Sequence, residues 1–397
     1  MARTRAATKK PAHAMLSASG AARWLECTPS AKLESTFPNT SSSYAEEGTA
    51  AHELAELAVR YWLNEISEKA YKNAGDILAK GKYYNAEMQE CADDYAQFIT
   101  DKVNAIRETC SDAIVELEVR GLDFSEWAPD GHGTGDCIIV ADNLLEIIDF
   151  KYGKGHRVEA YNNPQMRLYA LGAIVRYGQL YDLDAVRMTI IQPRLSGVQS
   201  SDEMSIKELL DWADSYVKPR AKRAHEGKGE FAPGEDTCRF CRAKEQCRAR
   251  ADANLALFDE GSDVALISPD EAGAILEKAG DIKAWLSDLE NLCVKTLSSG
   301  QSVSGWKLVE GRSNRKYVDE DQVAAAMKTA GYEEALLYDK KLIPLTQMEK
   351  DFGKKAISEV LSGLIIKPAG KPTLAHEKDK RPAIVLENQV LSAFDET

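Results

Sequence analysis

The chain has 397 residues, 44% of them hydrophobic and 28% charged, with a net charge of −13 and eight cysteines. That length allows two or three domains, since single domains run to about 100–200 residues, and no apolar run approaches the roughly 20 residues that span a bilayer. An integral membrane protein, a protein that coats nucleic acid non-specifically and a disulfide scaffold are all excluded.

Residues 1–14 are basic and Ala-rich with no apolar segment behind them, so they read as a disordered tail rather than a secretory signal, and the cytoplasm is the expected compartment. From Met15 the string MLSASGAARWLECTPSAKLE predicts a helix capped by Ser17 or Ser19, with Trp24 and Leu25 inward and Cys27 at its end. Leu54, Leu57, Ala58 and Tyr61 fall at helical spacing between Glu46 and Asn64, with His52 one turn before Glu56. A further helix is expected from Ala86 to Cys110. AIVELEVR (113–120) alternates as a half-buried strand does, and TGDCIIVA and LLEIIDFKY supply the next two strands. A helix over 163–177, a strand over 187–193 and a helix over 205–226 follow.

On a strand, residues i and i+2 share a face, so Asp149 and Lys151 project together. A hairpin between the two strands sets Asp136 beside Asp149, which makes an oxygen-rich cradle for magnesium or manganese. Gln165 and Tyr169 lie four apart on one helical face. Glu116 and Glu118 on the first strand are secondary acidic candidates. Cys238-x2-Cys241-x5-Cys247 is a ligation pattern that needs a fourth partner: zinc would recruit Cys27 or His225, and a [4Fe–4S] cluster would take the Cys27 thiolate. Arg239, Arg242, Lys244, Arg248 and Arg250 interleave with these cysteines, and either track phosphates or offset thiolate charge. Between Lys218 and Arg250 ten Lys and Arg face five Asp and Glu, a local +5 that leaves −18 on the remainder. Cys91, Cys110, Cys137 and Cys293 read as packing residues.

Asp136-x12-Asp149-x-Lys151 followed by Gln165-x3-Tyr169, with His52 in GTAAHELAE, resembles the RecB-type nucleases of the PD-(D/E)XK superfamily. One cysteine before the histidine and three after the core resemble its iron–sulfur branch, similar to the AddB nuclease domain and the CRISPR adaptation nucleases. The whole chain is also similar to a phage- and prophage-borne family. The resemblance implies an α/β restriction-endonuclease-like core, a mixed sheet flanked by helices, over residues 15–255; the helical pattern beyond it reads as a mainly helical accessory domain over 256–397. It implies a metal-dependent deoxyribonuclease, an exonuclease, acting in phage DNA recombination, replication or repair. His52, Asp136, Asp149 and the Phe150 carbonyl would ligate Mg2+ or Mn2+, Lys151 would orient the attacking water, and Gln165 and Tyr169 would touch DNA or support the metal site. Cys27, Cys238, Cys241 and Cys247 would hold a [4Fe–4S] cluster, with structural zinc as the alternative. The expected partner is DNA, with a phage recombination or replication protein beside it. The rival readings are a non-catalytic nucleic-acid-binding protein and a zinc-stapled interaction module.

Beyond residue 255, helical patterns at 268–298, 319–330 and 346–361 surround a short hairpin over 302–318. The segment 367–382 reads as a loop, whose Lys367, Lys371, Lys378, Lys380 and Arg381 form a candidate DNA clamp. No G-x4-G-K-[ST] is present, so the chain carries no ATP-driven motor of that type.

Overall fold

The computed structural model describes residues 14–38, 42–195, 198–259, 268–309, 319–331, 337, 344–361 and 364. The chain divides into two compact units, Met1–Ser304 and Gly305–Thr397.

The first unit is built on a five-stranded mixed sheet flanked by helices. β1 (Ile114–Asp123), β2 (His132–Ala141), β3 (Leu144–Phe150), β4 (Ala185–Gln192) and β5 (Val198–Ser205) lie side by side in chain order. Every pairing is antiparallel except β3 with β4. A parallel pair cannot be joined by a tight turn, and here the crossover carries the helix Pro164–Tyr177. Both faces of the sheet are covered, so strand residues feed two cores. Ile138, Val140, Leu145 and Ile147 enter one, and Cys137, Ile139, Ile148 and Phe150 enter the other. Burial on both faces explains why β2 and β3 read as near-continuous apolar runs.

In chain order the helices are α1 (Ala21–Glu26), α2 (Ser30–Glu34), α3 (Ser43–Trp62), α4 (Glu68–Leu78), α5 (Ala86–Thr109), α6 (Pro164–Tyr177), α7 (Ile206–Trp212) and α8 (Lys218–Glu226). α3 and α5 roof the second core with Leu54, Ala58, Met88, Tyr95 and Ile99; α1, α6, α7 and α8 roof the first with Trp24, Leu168, Leu171, Leu209 and Ala221. Side-chain caps fix where the long helices begin: Ser42 accepts from Ala45 N–H, Asn85 from Met88 N–H, and Asn163 from Gln165 and Met166 N–H.

Four local expectations change. The helix foreseen from Met15 is a 3-10 turn over Ala18–Gly20, capped by Ser17, followed by α1. The helix foreseen over 205–226 contains a π-helical turn, Ala213–Val217, between α7 and α8. β5 has the sequence VQSSDEMS, an edge strand whose polar residues carry no alternation to find. β1 does not alternate cleanly: Leu117 enters the second core and Val119 the first, because Glu118 between them has φ +48.

α9 (Glu235–Arg239), α10 (Arg248–Asp259) and α11 (Pro269–Ser298) complete the first unit, which continues past the boundary expected at residue 255. Arg250 of α10 is buried and pairs with Asp288 (2.6 Å) and Asp281 (3.3 Å) of α11. The second unit contains α12 (Glu320–Thr329), α13 (Leu345–Phe352) and α14 (Lys354–Val360), the last two separated at Gly353, where φ is +86. Of the expected hairpin, 310–318 lie outside the described residues; so do the lysine-rich segment 367–382 and residues 1–13. No helix among the described residues is long and apolar enough to cross a membrane.

α6 lies close on β1 because Gly172 has no side chain: a Cβ there would meet the Leu122 backbone and Cβ at 2.7 Å. Gly172→Ala should therefore cost about 1–3 kcal/mol in urea unfolding, although alanine is the better helix former. Gly48→Ala on α3, where nothing lies within 4 Å, should gain up to about 1 kcal/mol in the same assay.

Candidate active site and cysteine cluster

The strand register assembles the site. Cys137 pairs with Ile148, so one step further along the hairpin Asp136 faces Asp149. On the other side, Leu117 pairs with Cys137 and Val119 with Gly135, which leaves Glu118 level with Asp136. Three carboxylates thus stand at one level across β1, β2 and β3. The ladder is interrupted there, and Asp136 Oδ2 accepts the Phe150 backbone N–H at 2.7 Å.

His52 comes to this row from α3. Its Nδ1 lies 3.3 Å from Asp136 Oδ1 and 4.0 Å from Glu118 Oε1, and its ring meets Phe150 edge-on at 5.4 Å. Ligand atoms of His52, Glu118 and Asp136 all fall within 4.8 Å of one another. One imidazole and two carboxylate oxygens are a donor set suited to a hard divalent cation.

Asp149 faces the other way along the row. Lys151 Nζ lies 2.8 Å from Asp149 Oδ2, and the Gln165 amide donates to Asp149 Oδ1 at 3.3 Å. Lys151 in turn donates to Gln165 Oε1 at 3.3 Å, and Gln165 donates to the Tyr169 hydroxyl at 3.1 Å. Gln165 is therefore the joint through which α6 fixes both strand residues. Burial pushes the Tyr169 phenol well above its ordinary range, so it stays protonated.

The electrostatics follow from three acids sharing two cations. Burial disfavours the charged form of His52, but Asp136 beside it outweighs this and raises the imidazolium to about 9. Burial also works against ionised Asp136, yet His52 and the Phe150 N–H hold it below the usual carboxylate range. Asp149 is pushed up by burial and by Asp136 despite its lysine. Lys151 is desolvated but stays firmly charged against Asp149. Glu118, raised by burial and by Asp136, titrates at about 7. Its left-handed backbone is costly for a residue with a side chain, and such strain concentrates at functional sites. Glu118 was legible as an acid on the first strand; its place in the ligand trio goes with a left-handed backbone that residue types do not announce.

A second cluster forms where the chain's first helices meet residues 228–247. Cys27, Cys238, Cys241 and Cys247 line one small cavity, walled by Leu33, Phe231 and Pro233. Burial raises the Cys27 thiol, and nearby Cys238 and Cys247 add to this, while a backbone hydrogen bond from Ala232 opposes it. Burial and Glu34 push Cys241 to about 11 against a backbone hydrogen bond from Ala243. Protein contacts already hold the two segments together: Thr28 Oγ1 donates to the Lys228 carbonyl (2.7 Å), and buried Glu34 accepts the Arg242 N–H (2.8 Å) and pairs with Arg23 (2.7 Å). His225 is at the end of α8, 3.9 Å from Asp130, and is not among the residues lining the cavity.

The interleaved cations are engaged. Arg239 pairs with Glu235, Arg242 with Glu34, Lys244 and Arg250 with Asp288, and Arg248 with Asp252. These five cations are matched with carboxylates, those of Arg242, Lys244 and Arg250 brought in by the fold, which weakens their reading as a phosphate track.

Residues 13–382 match the family described as "Protein of unknown function (DUF2800)", and the chain belongs to that family. Among solved structures, LHK-Exo in complex with dAMP is similar at 15% identity and a TM-score of 0.23, over 46% of this chain and 93% of that one. A second, SSO0001, is similar at 13% identity and a TM-score of 0.22, over 56% of this chain and 95% of that one. Similarity at this level leaves the site to be read from its own residues.

Because Glu118 titrates at about 7 in the folded chain and near its ordinary value when unfolded, the native state holds the extra proton. His52, raised to about 9, costs metal-free parent and variant alike stability from about 6.5 to 9, and beside it the Glu118 contribution falls as pH rises from about 4.5 to 7 and levels off above. Glu118→Gln should remove that loss, giving about 1–3 kcal/mol more stability than the parent at pH 8 and no difference below pH ~4.5. Urea unfolding in EDTA across this range measures it, and added Mn2+ should stabilise the parent more than the variant.

Proposed function

We propose that this member of the DUF2800 family is a metal-dependent DNA nuclease with a PD-(D/E)XK-like core, working as an exonuclease. The observation that carries the reading is the convergence of His52, Glu118 and Asp136 within 4.8 Å, beside an Asp149–Lys151 pair at 2.8 Å. The proposed nuclease domain is residues 15–255 with α11 packed against it, and 256–397 is proposed as accessory.

When bound, a divalent cation neutralises charge on the phosphoryl group and lowers the pKa of a water beside it. His52, Glu118 and Asp136 would hold the cation, with Asp149 and the Phe150 carbonyl as further ligands. Lys151 keeps its proton and is pinned between Asp149 and Gln165, so it can orient and polarise the attacking water without wandering. Gln165, fixed by Tyr169, holds that geometry from α6. Ligation needs a neutral His52, so the three acids with Lys151 alone leave a charge of −2, which a divalent cation would balance.

The cysteine cavity is proposed to hold a [4Fe–4S] cluster with a structural role. An all-thiol donor set, with backbone hydrogen bonds on Cys27 and Cys241, suits a thiolate-ligated centre. Its binding energy would count as folding energy for the N-terminal helices. Similarity to phage-borne sequences supports a role in phage DNA recombination, replication or repair.

End-labelled single- and double-stranded DNA should be degraded with Mn2+ or Mg2+ and not in EDTA. Asp149→Asn should abolish cleavage, and Lys151→Gln should slow it by about 10²- to 10⁴-fold, with the fold retained by circular dichroism. Cleavage by Asp149→Asn at the parent rate would sink the assignment. Anaerobically purified protein should be brown and contain iron and sulfide, and Cys241→Ser should lose both colour and stability. Stoichiometric zinc without iron would move the cavity to the structural-zinc reading.

A further inference from the structure

The loop between Lys151 and Gln165 is bracketed by two residues of the proposed active site, and it is held more firmly than a connection requires. Buried Gln192 donates to the carbonyls of Gly153 (2.6 Å) and His156 (2.8 Å) and accepts the Val158 N–H (3.1 Å). Ser200 Oγ accepts the Ala160 N–H (2.9 Å), and Asp202 the Asn162 N–H (3.2 Å). Asn162 has φ +54 and is clamped through its side chain by Arg167 at 2.6 Å. Arg167 is itself seated over Trp212 and near Asp202.

All this fixes a loop whose most conspicuous side chain faces water. Tyr161, just before the strained Asn162, is 71% exposed. An aromatic ring left in solvent on a rigid, strained support is organised for a partner rather than for the core. Tyr161 is four residues from Gln165, at most about 14 Å of chain, which keeps the loop close to the carboxylate row. Lys154, His156 and Arg157 on the same loop are exposed, and the pairings of Lys154 with Glu87 and Arg157 with Glu159 are at the surface and weak. Cations beside an aromatic platform make up the physical signature of a single-strand binding surface.

We propose that the loop 153–161 is a stacking platform on which Tyr161 receives an unpaired base next to the scissile phosphate, giving the site a preference for single-stranded DNA ends. This rests on the nuclease reading for the word scissile and on the loop alone for the binding.

The test uses the full-length protein in EDTA, where cleavage is off, with a fluorescein-labelled 12-nucleotide oligothymidylate and a blunt duplex of the same length. Tyr161→Ala should weaken oligothymidylate binding by about 5- to 150-fold, the effect of losing one base–aromatic stack, and weaken duplex binding much less. Tyr161→Phe should bind as the parent does, since the ring rather than the hydroxyl makes the contact. Parent-like binding by Tyr161→Ala, or an equal loss for both ligands, overturns the platform. Tyr161-dependent binding in a protein that never cleaves DNA with Mn2+ would uphold the platform and remove the nuclease reading.

Discussion

Three carboxylates confined to one level of three neighbouring strands are the constraint around which the first unit is arranged. Left alone, Glu118, Asp136 and Asp149 would repel one another in a partly dry site, and each helix that touches the row brings a group that relieves it. α3 brings His52 to Asp136, and α6 brings Gln165 to Asp149 and Lys151. The relief is incomplete, and the raised Glu118 carboxyl is its mark. A core designed for stability alone would replace these acids; keeping them, with a left-handed residue inside a strand, is what the proposed site for a cation and a phosphate would require.

The fold serves this row by separating rigid from adjustable parts. Strands β2 and β3 are buried on both faces and cannot slip without turning Asp136 and Asp149 into a core. The walls are then fastened by polar side chains from elsewhere in the unit. Arg194, after β4, reaches Glu47 on α3 at 3.2 Å and Glu87 on α5 at 2.8 Å and lies over the Tyr152 ring at 4.3 Å, joining both roof helices to the loop that leaves the site. Gln192, Ser200 and Asp202 do the same for the rest of that loop, so β4 and β5 act as its frame.

Much of this was legible in the sequence because it follows local rules. The apolar runs of β2 and β3, the i and i+2 placement of Asp149 and Lys151 and the four-residue spacing of Gln165 and Tyr169 survive in the structure as geometry. What escaped depended on partners far along the chain. β5 is mostly polar, with three serines and two acids, and exists because β4 offers it an edge. The role of Glu118 goes with a left-handed backbone that sends Leu117 and Val119 into different cores. The basic appearance of the cysteine segment changes for the same reason: Asp281, Asp288 and Glu34 arrive from outside it. Charge counted along a segment cannot see acids that tertiary structure delivers.

The contacts between the chain's beginning and residues 228–247 also bear on how the molecule comes into being. Thr28 bonds to a residue 200 positions later, and Glu34 to one 208 positions later. Closing loops of that size is entropically slow, and domains made on the ribosome grow from the N-terminus. The first two helices therefore emerge long before their partners and must wait, with Trp24 and Leu25 lacking their final cover, until residues 228–247 have been synthesised. Whatever shields those residues during translation sets how much of the protein reaches its native state.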